Sequence, residues 1–302
     1  MASAVWTLFA ILAKLGIFAG MIASAGGIAA LRGYHNGSRA AHGRLLSYCL
    51  LGALLGFHSS LLPVLIQVGQ INDAGLMGMF DIDLVLLLRG TPVWESAAFR
   101  GVGFALSALL VLALLKTLNT QRKSPEPAFY HIASFGQALA LALVAYGFTL
   151  SGHVSLLESW VRAALTIHVA AMGIWLGMLL PLRWCCADVE SNTLVMLMTR
   201  FSRLGFGVVA TLVVTGIAML LSLIDIVDLF TTDYGRLMLL KLVTFAAVLL
   251  IAALNKWRYV PALSLPGGAQ KLARSIDREI LIAAALLVIA AVLTTALGPS
   301  SH

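Results

Sequence analysis

Charged residues are scarce in this chain of 302 residues. Asp, Glu, Lys and Arg together make up 11% of it, whereas hydrophobic residues make up 60%. Soluble domains carry roughly 25% charged residues, so a water-soluble globular fold is excluded. The apolar runs are continuous and helix-length, which excludes the alternating strands of a membrane β-barrel. The sequence therefore predicts an all-α, polytopic membrane protein folded as a helical bundle, with membrane lipid around it.

Cysteine is also rare, and enzyme motifs are absent. The three cysteines are Cys49, Cys185 and Cys186, which are too few to form a disulfide framework. The sequence has no P-loop, no Gly-x-Ser-x-Gly and no His-Glu-x-x-His motif. These absences remove support for nucleotide chemistry and for hydrolysis. We therefore expect a protein that is not an enzyme.

Eight apolar windows are long enough to cross a bilayer as helices. They cover about 4–31, 45–66, 95–118, 131–151, 160–182, 201–224, 237–257 and 279–297. The first window lacks a preceding basic segment and is too long for a signal peptide, so we expect a retained helix. These windows predict a single eight-helix transmembrane domain over 1–302.

A weak internal repeat divides this domain. Thr91 precedes Arg100 by the same nine residues that separate Thr232 from Lys241, each time near the start of a helix that runs inward. This spacing suggests two four-helix halves, 1–125 and 126–302. Between the second and third windows, the short apolar run 82–88 predicts an interfacial helix, after which Thr91-Pro92 turns the chain inward.

The basic residues define a topology. Thirteen of the 20 Lys and Arg residues lie in the connections after the odd-numbered windows. They are Arg32, Arg39, Arg44, Arg122, Lys123, Arg183, Arg200, Arg203, Lys256, Arg258, Lys271, Arg274 and Arg278. By the positive-inside rule these connections are cytoplasmic, so both termini lie on the outer side. Topology thus explains the net charge of +7 without a nucleic-acid partner. His35 and His42 are expected in a solvated inner loop.

Three histidines fall in the outer third of the predicted bundle. His58, His153 and His168 belong to three different helices and lie at compatible depths. Neutral imidazole is a ligand for transition metals. Met172 and Trp175 share the helix face of His168, and a His–Met pair suits copper, particularly Cu⁺. The alternatives are a His168 that is hydrogen-bonded to a neighbouring helix and a Met172 that packs in the core.

Soft sulfur ligands occur on both sides of the membrane. Met77 and Met79 lie in an acid-rich outer connection, where thioethers bind cuprous copper without the oxidation risk of thiols. Cys49, Cys185 and Cys186 lie near the inner helix ends and are candidate exit ligands. The alternatives are an apolar loop for the methionines and ordinary interfacial positions for the cysteines.

Lys14 and Lys241 lie within apolar windows, where a charge is costly. Lys241 is expected to form an outer charge cluster with Asp233 and Arg236. Lys14 lies in the middle of the first window. It requires an acceptor inside the bundle, for which the sequence offers the amide of Asn255 or backbone carbonyls.

Four segments are similar to a known family. Residues 166–179 resemble the "H-x-x-A-x-x-x-W-x-G-G-L" helix of the copper resistance protein D (CopD) family, with Met178 in place of a glycine. The triplet 201–203, Phe-Ser-Arg, resembles the start of that family's next helix. Residues 234–241 followed by Asn255 resemble its "Y-G-R-x-L-x-x-K … N" helix, and 151–153 its "G-H" ending. The resemblance covers about 150–260 closely.

The resemblance implies a multi-pass protein of the bacterial inner membrane that handles periplasmic copper in copper homeostasis and resistance. It implies eight helices and a separate periplasmic CopC-like partner. We expect copper, as Cu⁺ or Cu²⁺, to be taken from the periplasm and moved into the cytoplasm. An alternative is a copper-binding assembly subunit that does not transport.

A further alternative is electron transfer through a b-type haem. His58 and His168 would be its axial ligands, and the small residues Gly52, Ala53, Gly56 and Gly173 would provide the space.

Overall fold

The chain folds as an all-α bundle, as the composition predicts. A computed structural model describes residues 2–34, 37–120 and 125–297. His35, Arg122 and Lys123 of the predicted inner loops therefore lie outside the described residues. The described residues are almost entirely helical and contain no strand.

Eight long helices follow one another along the described chain. They are α1 (Ala2–Gly33), α2 (Arg39–Asn72), α3 (Pro92–Thr120), α4 (Pro127–Gly147), α5 (Ser159–Asp188), α6 (Ser191–Leu223), α7 (Asp233–Leu254) and α8 (Gly268–Leu293). Seven of the described helices, α1 to α7, are long and apolar enough to cross a membrane. In α8, Asp277, Arg278 and Glu279 shorten the uncharged part. The sequence prediction of an eighth crossing, and of the side on which the termini lie, stays a prediction.

Local sequence sets the helix starts. Pro92 opens α3, and the hydroxyl of Thr91 accepts a hydrogen bond from the Trp94 N–H at 3.4 Å. The hydroxyl of Thr232 caps α7 by accepting from the Gly235 N–H at 3.0 Å. These caps satisfy N–H groups that have no partner within the helix. Thr91-Pro92 therefore starts a helix, as predicted, while the inward direction of that helix stays a prediction.

Hydrogen bonds to one carboxylate, that of Asp81, organise the connection between α2 and α3. It contains the 3₁₀ helix Leu76–Phe80 and the α-helix Ile82–Leu87. The Asp81 carboxylate accepts from the N–H groups of Asp83 and Leu84 and from the Asn72 amide, the last at 3.0 Å. The short helix expected over 82–88 is therefore present.

Glycines bring α1 into backbone contact with helices on both of its sides. A Cβ at Gly20 would lie 2.5 Å from Cα of Gly56 in α2, and a Cβ at Gly26 would overlap the backbone of Gly177 in α5. Small residues allow such close approach between helices within a membrane, where dispersion contacts replace the hydrophobic effect. α1 thus lies between α2 and α5.

Two helices are much less enclosed than the others. α6 packs mainly on α5, and α7 mainly on α8, while α6 and α7 make little contact with each other. Few of their side chains are buried, although Val248 of α7 is fully buried. These two helices therefore face lipid over much of their length.

We predict that Gly26→Ala destabilises the protein, because the added methyl group has no space against Gly177. Overpacking of this kind costs about 1–3 kcal/mol, so the midpoint of thermal unfolding, followed by tryptophan fluorescence in detergent, falls. The matched control is Gly205→Ala in α6, where nothing lies within 4 Å of an added Cβ. Equal midpoints for the two variants would refute the proposed glycine contact.

Candidate metal site around His168

The ring of His168 is fixed by a hydrogen bond to the next helix. Its Nδ1 lies 3.0 Å from the Thr215 hydroxyl of α6. That hydroxyl donates its own hydrogen to the Thr211 carbonyl, at 2.6 Å. A hydroxyl has one hydrogen, so it accepts from the Nδ1–H of His168. This assignment leaves Nε2 unprotonated with a free lone pair, which is the form that binds a metal.

A glycine on α6 makes room for this ring. A Cβ at Gly216 would lie 3.4 Å from Cε1 of His168, so the imidazole edge lies directly against the α6 backbone. Thr215 and Gly216 were missed by sequence reasoning. The sequence signal that could have identified them is a polar residue followed by glycine inside an otherwise apolar window.

Lys241 lies near His168 and apart from the ion pair of Asp233 and Arg236. It belongs to α7 and is close enough to the imidazole for its charge to act on the ring. Arg236 instead pairs with Asp233 at 3.5 Å in an exposed ion pair within the first turn of α7. In the described residues Lys241 takes part in no ion pair. The structure thus places Lys241 apart from the predicted outer charge cluster, because the helix carries its side chain towards α5.

The other residues on the His168 face are packed in the core. Trp175 is buried, with its ring edge-on to Phe245 of α7 at 6.3 Å between centroids. Met172 is half-buried and packs against the hydrophobic core on both sides of α5. The core-packing alternative for Met172 is therefore observed, while helical spacing still places its thioether on the face of His168.

The structure does not bring His58 together with His168. His58 is exposed on α2, where its Nδ1 lies 2.8 Å from the Leu54 carbonyl, and α1 lies between α2 and α5. His153 belongs to the 3₁₀ helix His153–Leu156, and its side chain lies outside the described part of the chain. Among the described residues, no group of three or more His, Cys, Asp or Glu side chains has metal-binding geometry. The three-histidine site stays a prediction.

The small residues expected to accommodate haem serve helix packing instead. A Cβ at Gly52 would overlap Ala23, and one at Gly56 would overlap the ring of Phe104. Ala53 is fully buried, and Gly173 packs against Met21. The space beside these residues is filled by protein atoms, so the haem alternative loses the feature on which it was based.

The predicted sulfur ligands have different surroundings. Met77 is 81% exposed on the outer connection, whereas Met79 packs against the cluster that contains Trp6 and Ile66. On the inner side, Cys49 is fully buried in α2 with its Sγ against Gly27.

The two adjacent cysteines lie among inner-side ion pairs. Cys185 and Cys186 are half-buried near the end of α5. The ion pairs nearby on α5 are Arg44–Asp188 and Arg183–Asp277, the second at 2.8 Å.

Lys14 finds its acceptors at the end of the last helix and not at Asn255. Its ammonium donates to the carbonyl and to the hydroxyl of Thr294, both at 3.0 Å. The backbone-carbonyl alternative is therefore correct and the Asn255 alternative is wrong. The last carbonyls of a helix attract a cation because they have no partner within the helix.

Asn255 forms a buried pair with an acid that sequence reasoning missed. Its amide donates to the carboxyl of Glu279 at 2.7 Å, and Glu279 is 2% exposed. The amide oxygen of Asn255 is buried and finds no hydrogen-bond partner among the residues that the structure describes. Asn255 also opens the π-helical turn Asn255–Tyr259, a distortion that is frequent at functional sites.

The prediction of a solvated His42 is wrong. His42 is 1% exposed, with its Nδ1 2.9 Å from the Ser38 carbonyl and its Nε2 2.9 Å from the Tyr130 hydroxyl. The reason is that α2 begins at Arg39, six residues before the apolar window, so His42 lies in its first turn and faces α4.

Comparisons with known proteins confirm the family resemblance. The sequence model of the family described as copper resistance protein D (CopD) matches residues 195–293. This match contains Thr215, Lys241, Asn255 and Glu279, and it begins after His168.

A curated relative covers part of the chain. The inner membrane protein YebZ of Escherichia coli (strain K12) is 25% identical over 195 residues, which are 63% of this chain and 64% of YebZ. The chain thus spans just under two thirds of that relative. No solved structure matches the chain.

We predict that Asn255→Ala lowers the free energy of unfolding by about 1–3 kcal/mol, because the variant leaves the buried Glu279 carboxyl without its donor. Thr244→Ala in the preceding helix, α7, is the control, since among the described residues its hydroxyl bonds only to the Leu240 carbonyl one turn away. Denaturant unfolding of both variants measures the difference. An Asn255→Ala variant as stable as the parent would show that the pair makes no net contribution.

Proposed function

We propose that this chain is a member of the CopD family that binds copper at His168 and moves it from the periplasm into the cytoplasm. The family match and the inner-membrane relative support a multi-pass protein of the bacterial inner membrane. The described helices α1 to α7 have the length and composition for such a location.

One observation carries the proposal. The Thr215 hydroxyl, which donates its hydrogen to the Thr211 carbonyl, accepts from Nδ1–H of His168. Metal-binding histidines commonly donate their second N–H to an oxygen acceptor, which fixes the ring and makes the ligating nitrogen more basic. His168 has this arrangement in the outer half of the bundle.

The surroundings favour Cu⁺ over Cu²⁺ as the cargo. The thioether of Met172 on the same helix face is a soft ligand. The charge of Lys241 acts on the imidazole, and it repels a divalent ion more strongly than a monovalent one. A site with one imidazole, one thioether and a nearby ammonium therefore matches the monovalent ion better.

Other residues are assigned to entry and exit. Exposed Met77 collects copper outside, where a separate CopC-like periplasmic protein supplies it. Cys185 and Cys186 receive the ion on the reducing inner side. This path would place the protein in copper homeostasis and resistance.

We expect His168→Ala to remove copper from the purified protein, because it deletes the nitrogen that Thr215 orients. Elemental analysis after loading with Cu⁺ measures this loss, and His131→Ala, an exposed histidine of α4, should keep the copper of the parent. Equal copper in all three proteins would refute the site. Copper binding without copper accumulation in proteoliposomes would instead identify a non-transporting assembly subunit.

Thr215→Val should weaken Cu⁺ binding by roughly 10–100-fold, the usual effect of losing a hydrogen-bond partner behind a metal-binding histidine. Thr215→Ser, which keeps the hydroxyl, should bind Cu⁺ nearly as tightly as the parent. Competition with a chromogenic Cu⁺ chelator measures both affinities. If the valine and serine variants bind equally, the hydroxyl does not orient the ligand.

A further inference from the structure

Arg100 is a buried cation whose guanidinium has few acceptors. It lies in α3 and is 4% exposed. Its Nε–H donates to the Ser96 carbonyl of its own helix at 3.1 Å, and among the described residues no other hydrogen bond of this side chain is present. Guanidinium carries five N–H donors and stays charged in proteins. Four donors therefore remain for another acceptor.

The guanidinium of Arg100 is held in a fixed position. Its stem lies against Gly147 of α4, where an added Cβ would be 2.7 Å from Cγ. Its plane lies over the ring of Phe148, 5.2 Å from the centroid. The same ring stacks on Phe18 of α1 at 5.6 Å. Arg100 is thus orientated by α3, α4 and α1 before any ligand arrives.

Lys14 lies one helical turn before Phe18 and adds a second positive charge. The charge of Arg100 acts on it, so the two cations occupy the same region. Two of the three ammonium hydrogens go to the neutral oxygens of Thr294. The next hydroxyl, that of Thr295, is buried and has no hydrogen-bond partner in the described part of the chain. Hydrogen-bond donors therefore exceed acceptors in this region.

Within the described ranges, no carboxylate pairs with either of these cations. The described part of the chain contains three ion pairs, and neither Lys14 nor Arg100 belongs to one. Two adjacent cations that are largely removed from water are costly unless an anion binds to them.

We propose that Lys14, Arg100 and the Thr295 hydroxyl form a binding site for a phosphate group. The planar fork of arginine binds two oxygens of an oxyanion, and the ammonium and hydroxyl offer further donors. These donors exceed what the two oxygens of a carboxylate need, and they match a tetrahedral group with three or four oxygens. Thr294 at the end of α8, beside these groups, is exposed. Both a phospholipid headgroup and free phosphate carry a group of this chemistry.

The test uses the metal-free full chain in a neutral detergent at constant ionic strength. Inorganic phosphate is titrated while thermal unfolding is followed, and retention of phosphatidylglycerol is measured separately by native mass spectrometry. The variants are Lys14→Gln, Arg100→Gln and Arg100→Lys. The control is Lys116→Gln, an exposed cation of the same helix as Arg100.

One of the two probes, inorganic phosphate or phosphatidylglycerol, is expected to bind the parent. We expect Lys14→Gln to weaken the affinity for that probe at least tenfold and Lys116→Gln to change the same affinity less than twofold. Arg100→Lys should show an intermediate loss and serves as the folded comparison if Arg100→Gln unfolds. Stabilisation of the parent by phosphate identifies a soluble phosphate ligand, and retention of phosphatidylglycerol alone identifies a lipid headgroup. Absence of both effects, or equal binding by Lys14→Gln and Lys116→Gln, overturns the proposal. Because copper is absent throughout, the result is independent of the copper assignment.

Discussion

Backbone contact between α1 and α5 at Gly26 and Gly177 is the constraint on which the arrangement of the bundle depends. It places α1 between α2 and α5, and it therefore separates His58 from His168. The contact also joins helices from both predicted four-helix halves. A transport cycle in which the halves move apart would have to break this contact. The less enclosed helices α6 and α7 can change position at a lower cost in free energy, because fewer packing contacts have to be broken.

The polar side chains inside the bundle are segregated by sign. Lys14, Arg100 and Lys241 lie towards the starts of α1, α3 and α7, which are predicted to be the outer ends, and have no ion-pair partner among the described residues. The buried acid Glu279 lies towards the other side, at the start of the apolar part of α8. A cation that enters from outside meets repulsion near His168, so affinity there must come from ligand bonds and not from the electrostatic field. This requirement is consistent with a soft, monovalent cargo.

Much of the bundle could be predicted because hydrophobicity and helix signals are local. The eight windows correspond to the eight long helices, and Thr91-Pro92 marks the start of α3. The helix motif that contains His168 pointed to the residue around which the candidate site is built. In each case the signal lies within one segment of sequence.

The partners of the polar residues could not be predicted. His42 is buried because it meets Tyr130 of α4, and His168 is oriented because it meets Thr215 of α6. Glu279 is buried against Asn255, 24 positions away in sequence. Such pairings depend on how each helix is rotated about its axis and on which helix lies beside it. Apolar windows contain neither piece of information.

The weak enclosure of α6 and α7 has a consequence for the lipid bilayer. α6 has 33 residues, about 50 Å at ~1.5 Å per residue, whereas a hydrocarbon core is about 30 Å thick. A helix with so few protein contacts accommodates this mismatch by tilting or by projecting from the membrane. Thr215 and Lys241 lie on these two helices, while His168 lies on the firmly packed α5. Membrane thickness therefore helps to set the height of the histidine's neighbours relative to its ring, and acyl-chain length becomes a variable of the candidate metal site.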